Sequence, residues 1–267
     1  MNKLAFAAAI LITVSVFFIQ QVVAKPSMET AFVARVIDGD TFEIEGGGVV
    51  RILGINTPEK KQTLYDNASA FLKKLIGGKN VTLEKDVVEM DKYGRHLRYV
   101  FVGGEFVNEK IVRNGFANVY IILPNEKYSA ELEKAEVYAR ENNIGLWRTD
   151  ENYIDCISIF EFHWDALGND NENLNDEFVY LKNNCNMAIS MIGWTMKNSG
   201  TKIYKFGNFF LEPSRGVKIR SGCGNNAGAE LFWCGKKAIW NNNGDTLYLR
   251  DAEGLLVFSE TYAGKSE

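Results

Sequence analysis

Between Phe32 and Ile55 the chain is a series of short apolar runs broken by glycine turns, none long enough for a helix. Phe32 to Ile37 leads into Asp38-Gly39-Asp40. Thr41 to Glu45 leads into Gly46-Gly47-Gly48, and Val49 to Ile55 into Asn56-Thr57-Pro58-Glu59. Runs of this kind, divided by glycine, read as consecutive strands. A sheet begun this way must bury its apolar face against something else in the chain. If the first and third runs pair in one sheet, the acids of the first turn, Arg51 and Glu59 meet at one end. Oxygen ligands for a hard cation, a guanidinium suited to a phosphate and a carboxylate base would then stand together.

The next segments complete a barrel. Leu64 to Ile76 reads as a helix: Ala68, Phe71, Leu72, Leu75 and Ile76 recur on one face, with Asp66 as N-cap and Gly77-Gly78 as the stop. Val81–Val88 and Leu97–Val102 read as strands, Phe106–Asn114 and Glu126–Asn142 as helices. Five strands with a helix after the third and helices at the end suit an OB-type barrel, an α+β unit expected over residues 25–150. Gly145-Leu146-Trp147 closes it, and Trp147 is expected to pack the last helix back onto the barrel.

Asp38-Gly39-Asp40-Thr41, Arg51, Asn56-Thr57-Pro58-Glu59 and Asp91-Lys92-Tyr93-Gly94-Arg95 stand in the order and spacing of the staphylococcal nuclease family, which this stretch resembles from Phe32 to Trp147. The resemblance implies the same OB fold and phosphodiester hydrolysis supported by Ca²⁺. Asp40 would be a carboxylate ligand of the metal, Thr57 would offer its backbone carbonyl and Asn56 its amide oxygen. Asn56 stands where the family usually has an aspartate, so metal binding is expected to be weaker than the family norm. Glu59 would act as general base or orient the water. Arg51 and Arg95 would donate paired hydrogen bonds to the scissile phosphate. Asp38 would be structural. Lys92 and Tyr93 beside Arg95 would contact the nucleotide, and Tyr120 falls near the place of an aromatic over sugar or base. Products with 3′-phosphate ends are also implied.

After Asp150 the helical period vanishes. Cys156–Trp164 reads as a strand, Asp165–Asp176 as a solvated polar loop without the ligand order of an EF-hand, and the rest as about seven short strands with turn signals between them. An all-β sandwich is therefore expected over 151–267. Asn175–Asn183 followed by Ile192-Gly193-Trp194-Thr195, and Ala238–Leu249, resemble the lamin-tail domain. That resemblance implies an immunoglobulin-like sandwich that serves as an accessory module; the expected ligand is substrate, or a cell-surface component or polymer. The four cysteines, Cys156, Cys185, Cys223 and Cys234, all lie in this half. An even count suggests disulfides; Cys223 with Cys234 and Cys156 with Cys185 is one of three connectivities. A zinc site is the rival, with no C-x-x-C and only His163 nearby.

Residues 1–24 have the form of an export signal: Lys3, an apolar region from Leu4 to Ile19, and a small-residue site at Val22-Val23-Ala24. An uncleaved membrane anchor is the alternative, and either places the folded part outside the cytoplasm. A net charge of −4 argues against a broad polyanion-binding surface and leaves room for a basic cleft. The expectation is an exported Ca²⁺-dependent nuclease of low sequence specificity acting on DNA and RNA, with no obligate protein partner. The alternative is a non-catalytic nucleic-acid or surface binding protein on the same fold.

Overall fold

The computed structural model describes residues 28–264; the expected export signal lies outside the described residues. The first unit contains β1 (Met28–Val36), β2 (Thr41–Ile44), β3 (Val49–Ile52), β4 (Ile55–Asn56), α1 (Tyr65–Ile76), β5 (Asn80–Glu84), β6 (His96–Val102), β7 (Glu105–Phe106), α2 (Val107–Arg113), β8 (Asn118–Val119) and α3 (Ser129–Glu141). The sheet runs β3-β2-β1-β5-β6-β7, and β3 also pairs with β6. That parallel pairing, Val50 opposite His96 to Ile52 opposite Arg98, closes five strands into a barrel. Closure removes the free edges that a meander of this length would expose. Val33, Phe42, Val50, Ile52, Val81, Leu83 and Val100 fill it, covered by Leu72 and Ile76 of α1 and Ile111 of α2.

Three local expectations change. The run Val49–Ile55 is not one strand. It ends at Ile52 and turns at Gly54, whose φ of +74° suits glycine, so that Ile55 and Asn56 pair with Val119 and Asn118 instead. Buried Asn108 of α2 fixes that turn: its Nδ2 donates to the Leu53 carbonyl at 2.8 Å and its Oδ1 accepts from Val100 N at 2.9 Å. Asp66 lies within the first turn of α1 and does not cap it. The residue before the helix is Leu64, left-handed at φ +67°, and no side chain caps the end.

The second unit contains β9 (Ile157–His163), β10 (Phe178–Asn183), β11 (Ile189–Ser190), β12 (Thr195–Lys197), β13 (Ile203–Lys205), β14 (Phe210–Leu211), β15 (Gly216–Arg220), β16 (Glu230–Phe232), β17 (Gly244–Arg250) and β18 (Leu256–Ala263). Two sheets, β16-β15-β10-β9 and β13-β12-β17-β18, face each other in an immunoglobulin-like sandwich. Val179, Leu181, Val217 and Ile219 from one sheet meet Met196, Leu247 and Leu249 from the other, with Trp194 and Trp240 between. The cysteines form Cys156–Cys185 and Cys223–Cys234, as the spacing suggested, and no cysteine is left for zinc.

Trp147 corrects the third expectation. It is buried with Ala139, Tyr248 and Leu256, and so packs α3 against the sandwich rather than back onto the barrel. The seam is extended by backbone bonds from Asp150 N to the Leu256 carbonyl and from Leu256 N to the Arg148 carbonyl. Arg250 adds a bond from its guanidinium to the Leu146 carbonyl. Gly115 and Gly145 approach each other so closely beside it that a Cβ on either would overlap the other segment's backbone.

Candidate active site

The barrel strands bring the sequence motifs to one open cavity of about 380 Å³. Asp38, Asp40, Arg51, Asn56, Glu59, Arg95 and Tyr120 all line it. The Asp38-Gly39-Asp40 turn leaves β1 and re-enters the sheet at β2, whose Thr41 lies opposite Arg51 in β3. Asp40 is buried and firmly held. Its Oδ2 accepts from Thr57 N and Thr57 Oγ1, both at 3.0 Å, and lies 3.2 Å from Arg51 Nη2. Its Oδ1 accepts from Thr41 Oγ1 at 3.0 Å. Gly39 makes this packing possible, because a Cβ there would strike the Thr57 and Ala68 side chains. Burial, then the neighbouring Asp40 charge, pushes the Asp38 carboxyl up to about 6.

Arg51 also donates to the Ile52 carbonyl and, at 3.4 Å, to Asn56 Oδ1. Arg95 stands across the cavity. Its Nε donates to Asp91 Oδ2 at 2.7 Å, which orients the guanidinium and leaves both terminal nitrogens for another ligand. Hydrogen bonds from Arg95 and Tyr93, working against burial, hold the Asp91 carboxyl below its usual range. Glu59 is exposed, and its carboxylate makes no ion pair among the described residues. Lys92 and Tyr93 sit beside Arg95 at the tip of its loop, outside the residues that line the cavity, and Tyr93 is 72% exposed. Tyr120 is half-buried; burial, then Asp245, pushes its phenol up.

Sequence reasoning missed two parts of this place. Val88, Met90, Ile122 and Leu123 form an exposed apolar wall. Asn125 braces it by bonding both Val88 N, at 2.7 Å, and the Val88 carbonyl, at 2.9 Å. The -Val87-Val88- and -Ile121-Ile122-Leu123- runs carried the signal, but apolar runs read first as core. The second part comes from the sandwich: the loop between β12 and β13 reaches the rim, and Thr201 lines the cavity. Asn56 and Asn118 are opposite each other in the β4–β8 ladder, and both amides hold this loop. Asn56 Nδ2 donates to the Gly200 carbonyl at 3.0 Å and the Ser199 carbonyl at 3.5 Å, while Asn118 Nδ2 donates to Ser199 at 2.9 Å. An aspartate at 56 has no hydrogen to give these carbonyls. The departure from the family pattern therefore has a structural partner in the second unit.

The staphylococcal nuclease homologue family model matches residues 49–149, and the Lamin Tail Domain model matches residues 154–264. The thermonuclease of Staphylococcus intermedius is 38% identical over 128 residues, which cover 45% of this chain and 76% of that protein. The thermonuclease of Staphylococcus hyicus is 37% identical over 128 residues, with the same coverage. Endonuclease YncB of Bacillus subtilis is 36% identical over 139 residues, covering 46% of this chain and 66% of its own.

Proposed function

We propose a metal-dependent nuclease function for this chain, which belongs to the staphylococcal nuclease family. One observation carries the reading: Arg51, Glu59 and Arg95 reach a single cavity together with Asp38 and Asp40. In this reading a phosphodiester lies between the two guanidiniums. Arg95, oriented by Asp91, offers its paired terminal nitrogens to the phosphoryl oxygens, and Arg51 adds charge from the side of Asp40. Glu59 takes the proton of the attacking water. The water oxygen bonds to phosphorus, the bond to the 5′ oxygen breaks, that oxygen leaves as a hydroxyl after taking a proton from solvent, and the phosphate stays on the 3′ side. The apolar wall and Tyr120 receive a base without reading it, which accords with low sequence specificity on DNA and RNA.

The donor set fits a hard cation. The residues offer oxygen donors, and the Asp38 carboxyl, raised by burial and then by the Asp40 charge, stands beside them. Asp40, the Asn56 amide oxygen and the Thr57 carbonyl are the proposed ligands. A bound Ca²⁺ would supply positive charge to the phosphoryl oxygens. Asn56 brings no charge of its own, so affinity is expected to be modest. Export is part of the proposal, supported by two disulfides, which suit an oxidising compartment.

A non-catalytic binding protein is the second reading. It is favoured by Arg51, whose two terminal nitrogens already bond or pair with Asp40, Asn56 and Ile52. The test is cleavage of single-stranded DNA by the full chain, with Ca²⁺ and with chelator, beside Glu59→Ala. Loss of a general base is expected to lower the rate by about 10²- to 10⁴-fold in a folded protein. Equal activity in Glu59→Ala refutes the assigned role. A folded wild type that cleaves nothing at any calcium level establishes the second reading.

A further inference from the structure

A second cavity, of about 390 Å³, lies between the barrel and the sandwich. Its lining carries Lys60 and Lys61 from the barrel and Lys197, Lys205 and Arg250 from the sandwich, against one carboxylate, Asp251. Strand register explains the convergence. Thr195 of β12 pairs with Lys205 of β13 and with Arg250 of β17, so these three form one row across the sheet. Lys197, two residues along β12, lies in the next row with Ile203 and Tyr248 and points the same way. Met196 between them is fully buried in the sandwich core, which fixes the opposite face toward the barrel.

Asp251 offsets only part of this row's charge, through Arg250. Its Oδ1 accepts from Glu253 N at 2.9 Å and Leu255 N at 2.8 Å, closing its own turn. Arg250 is held by the carbonyls of Leu146 and Gly254, which are neutral. Lys197 has neither a hydrogen bond nor an ion pair among the described residues. Burial, then the Arg250 charge, pushes its ammonium down to about 8, while the Glu59 and Asp40 carboxylates oppose that. A half-buried ammonium without a partner, beside a second cation, lowers stability and returns no contact to the fold.

The cavity adjoins the candidate active site. Glu59 lines one space while its neighbours Pro58 and Lys60 line the other, so the same turn is the wall between them. A strand with one phosphate at Arg95 and its chain passing over this turn would carry a following phosphate to Lys197.

We propose that the cavity between barrel and sandwich is a second phosphate-binding subsite, in which Lys197, Lys205 and Arg250 with Lys60 and Lys61 hold the backbone of a nucleic-acid strand beyond the scissile bond. This rests on the nuclease reading and gives the sandwich a share in gripping substrate. The ligand is a phosphodiester of a polynucleotide; a free phosphate is the other source of the same chemistry, and the experiment separates the two.

The experiment compares the full chain with Lys197→Met and Lys197→Arg, with Lys197→Gln as a second neutral variant. Binding of a fluorescent single-stranded 12-mer is measured in chelator over a range of salt. Loss of one phosphate contact is expected to weaken binding about tenfold and to reduce the slope of log affinity against log salt by about 0.7, with Lys197→Arg close to wild type. Cleavage of a dinucleotide containing only the scissile phosphate is expected to be unchanged. The proposal is overturned if both neutral variants keep the wild-type affinity and slope, or if dinucleotide and 12-mer lose activity equally. It is also overturned if Lys197→Met loses only inorganic phosphate binding, which would make this a free-anion site. The binding arm needs no turnover. A wild type that binds through Lys197 without cleaving retires the nuclease reading and keeps the subsite, and the reverse pattern does the opposite.

Discussion

Replacing Asn56 by aspartate exchanges one NH₂ for one oxygen at a position that is 2% exposed. The family pattern suggests that this restores a metal ligand, but the structure adds a cost. Asn56 Nδ2 now serves the Gly200 carbonyl at 3.0 Å and the Ser199 carbonyl at 3.5 Å. The carboxylate removes one good hydrogen bond and leaves a buried carbonyl unsatisfied, at about 1–3 kcal/mol in all. Attraction to Arg51 offsets part of this, but the same Nη2 already lies 3.2 Å from Asp40 Oδ2, and two carboxylates on one nitrogen repel. Asn118 keeps its own bond to Ser199, so the loop is loosened rather than released. The net expectation is a loss of about 1–3 kcal/mol in docking the β12–β13 loop. Urea denaturation of the full chain in chelator reads it directly. With a slope of about 2 kcal/mol per molar, the midpoint falls by about 0.5–1.5 M. Added Ca²⁺ should recover part of the loss by mass action and do so more strongly than in wild type. An Asn56→Asp protein as stable as wild type in chelator would refute the docking role of the amide.

Three further outcomes are expected. Lys197→Met should raise stability at pH 7. The folded ammonium titrates near 8 and the unfolded one near its ordinary 10.5, so the penalty is complete below pH 8 and disappears as pH rises to 10.5. The gross figure is about 3 kcal/mol, reduced to about 1–2 kcal/mol by solvent screening; denaturation midpoints at pH 7 and pH 10 check both size and sign, and a gain that persists at pH 10 would contradict it. Trp147→Ala, at the seam, should cost about 3–5 kcal/mol and separate the unfolding of barrel and sandwich into two transitions in calorimetry. A single unchanged transition would mean the seam does not couple them. Gly115→Ala should cost at least about 1–3 kcal/mol, since φ is +68° and the added carbon meets the Ile144 carbonyl; thermal melting checks it.

Much of this molecule was legible because its signals are local. Short apolar runs with glycine turns marked the barrel strands, a repeating apolar face marked α1, and the even cysteine count pointed to disulfides, with the pairs the structure contains among three possible connectivities. The candidate-site motifs were legible for the same reason, since apart from Arg51 on β3 each is a contiguous turn or loop. Errors arose where the partner was distant. Val49–Ile55 was continuous as a pattern, yet Asn108 and Gly54 break it and send Ile55 and Asn56 to another partner strand.

Sequence alone determined the two fold classes, the barrel-then-sandwich order, and the acids and arginines available to a cleft. Tertiary structure decided what Asn56, Trp147 and Lys197 do. Asn56 holds a loop of the sandwich, Trp147 fills the seam, and Lys197 stands in a cationic cavity with no ion pair among the described residues. The physical reason is range. Backbone propensity and apolar periodicity act over a few residues, whereas a single amide, indole or ammonium takes its meaning from groups that only folding brings within a few ångströms.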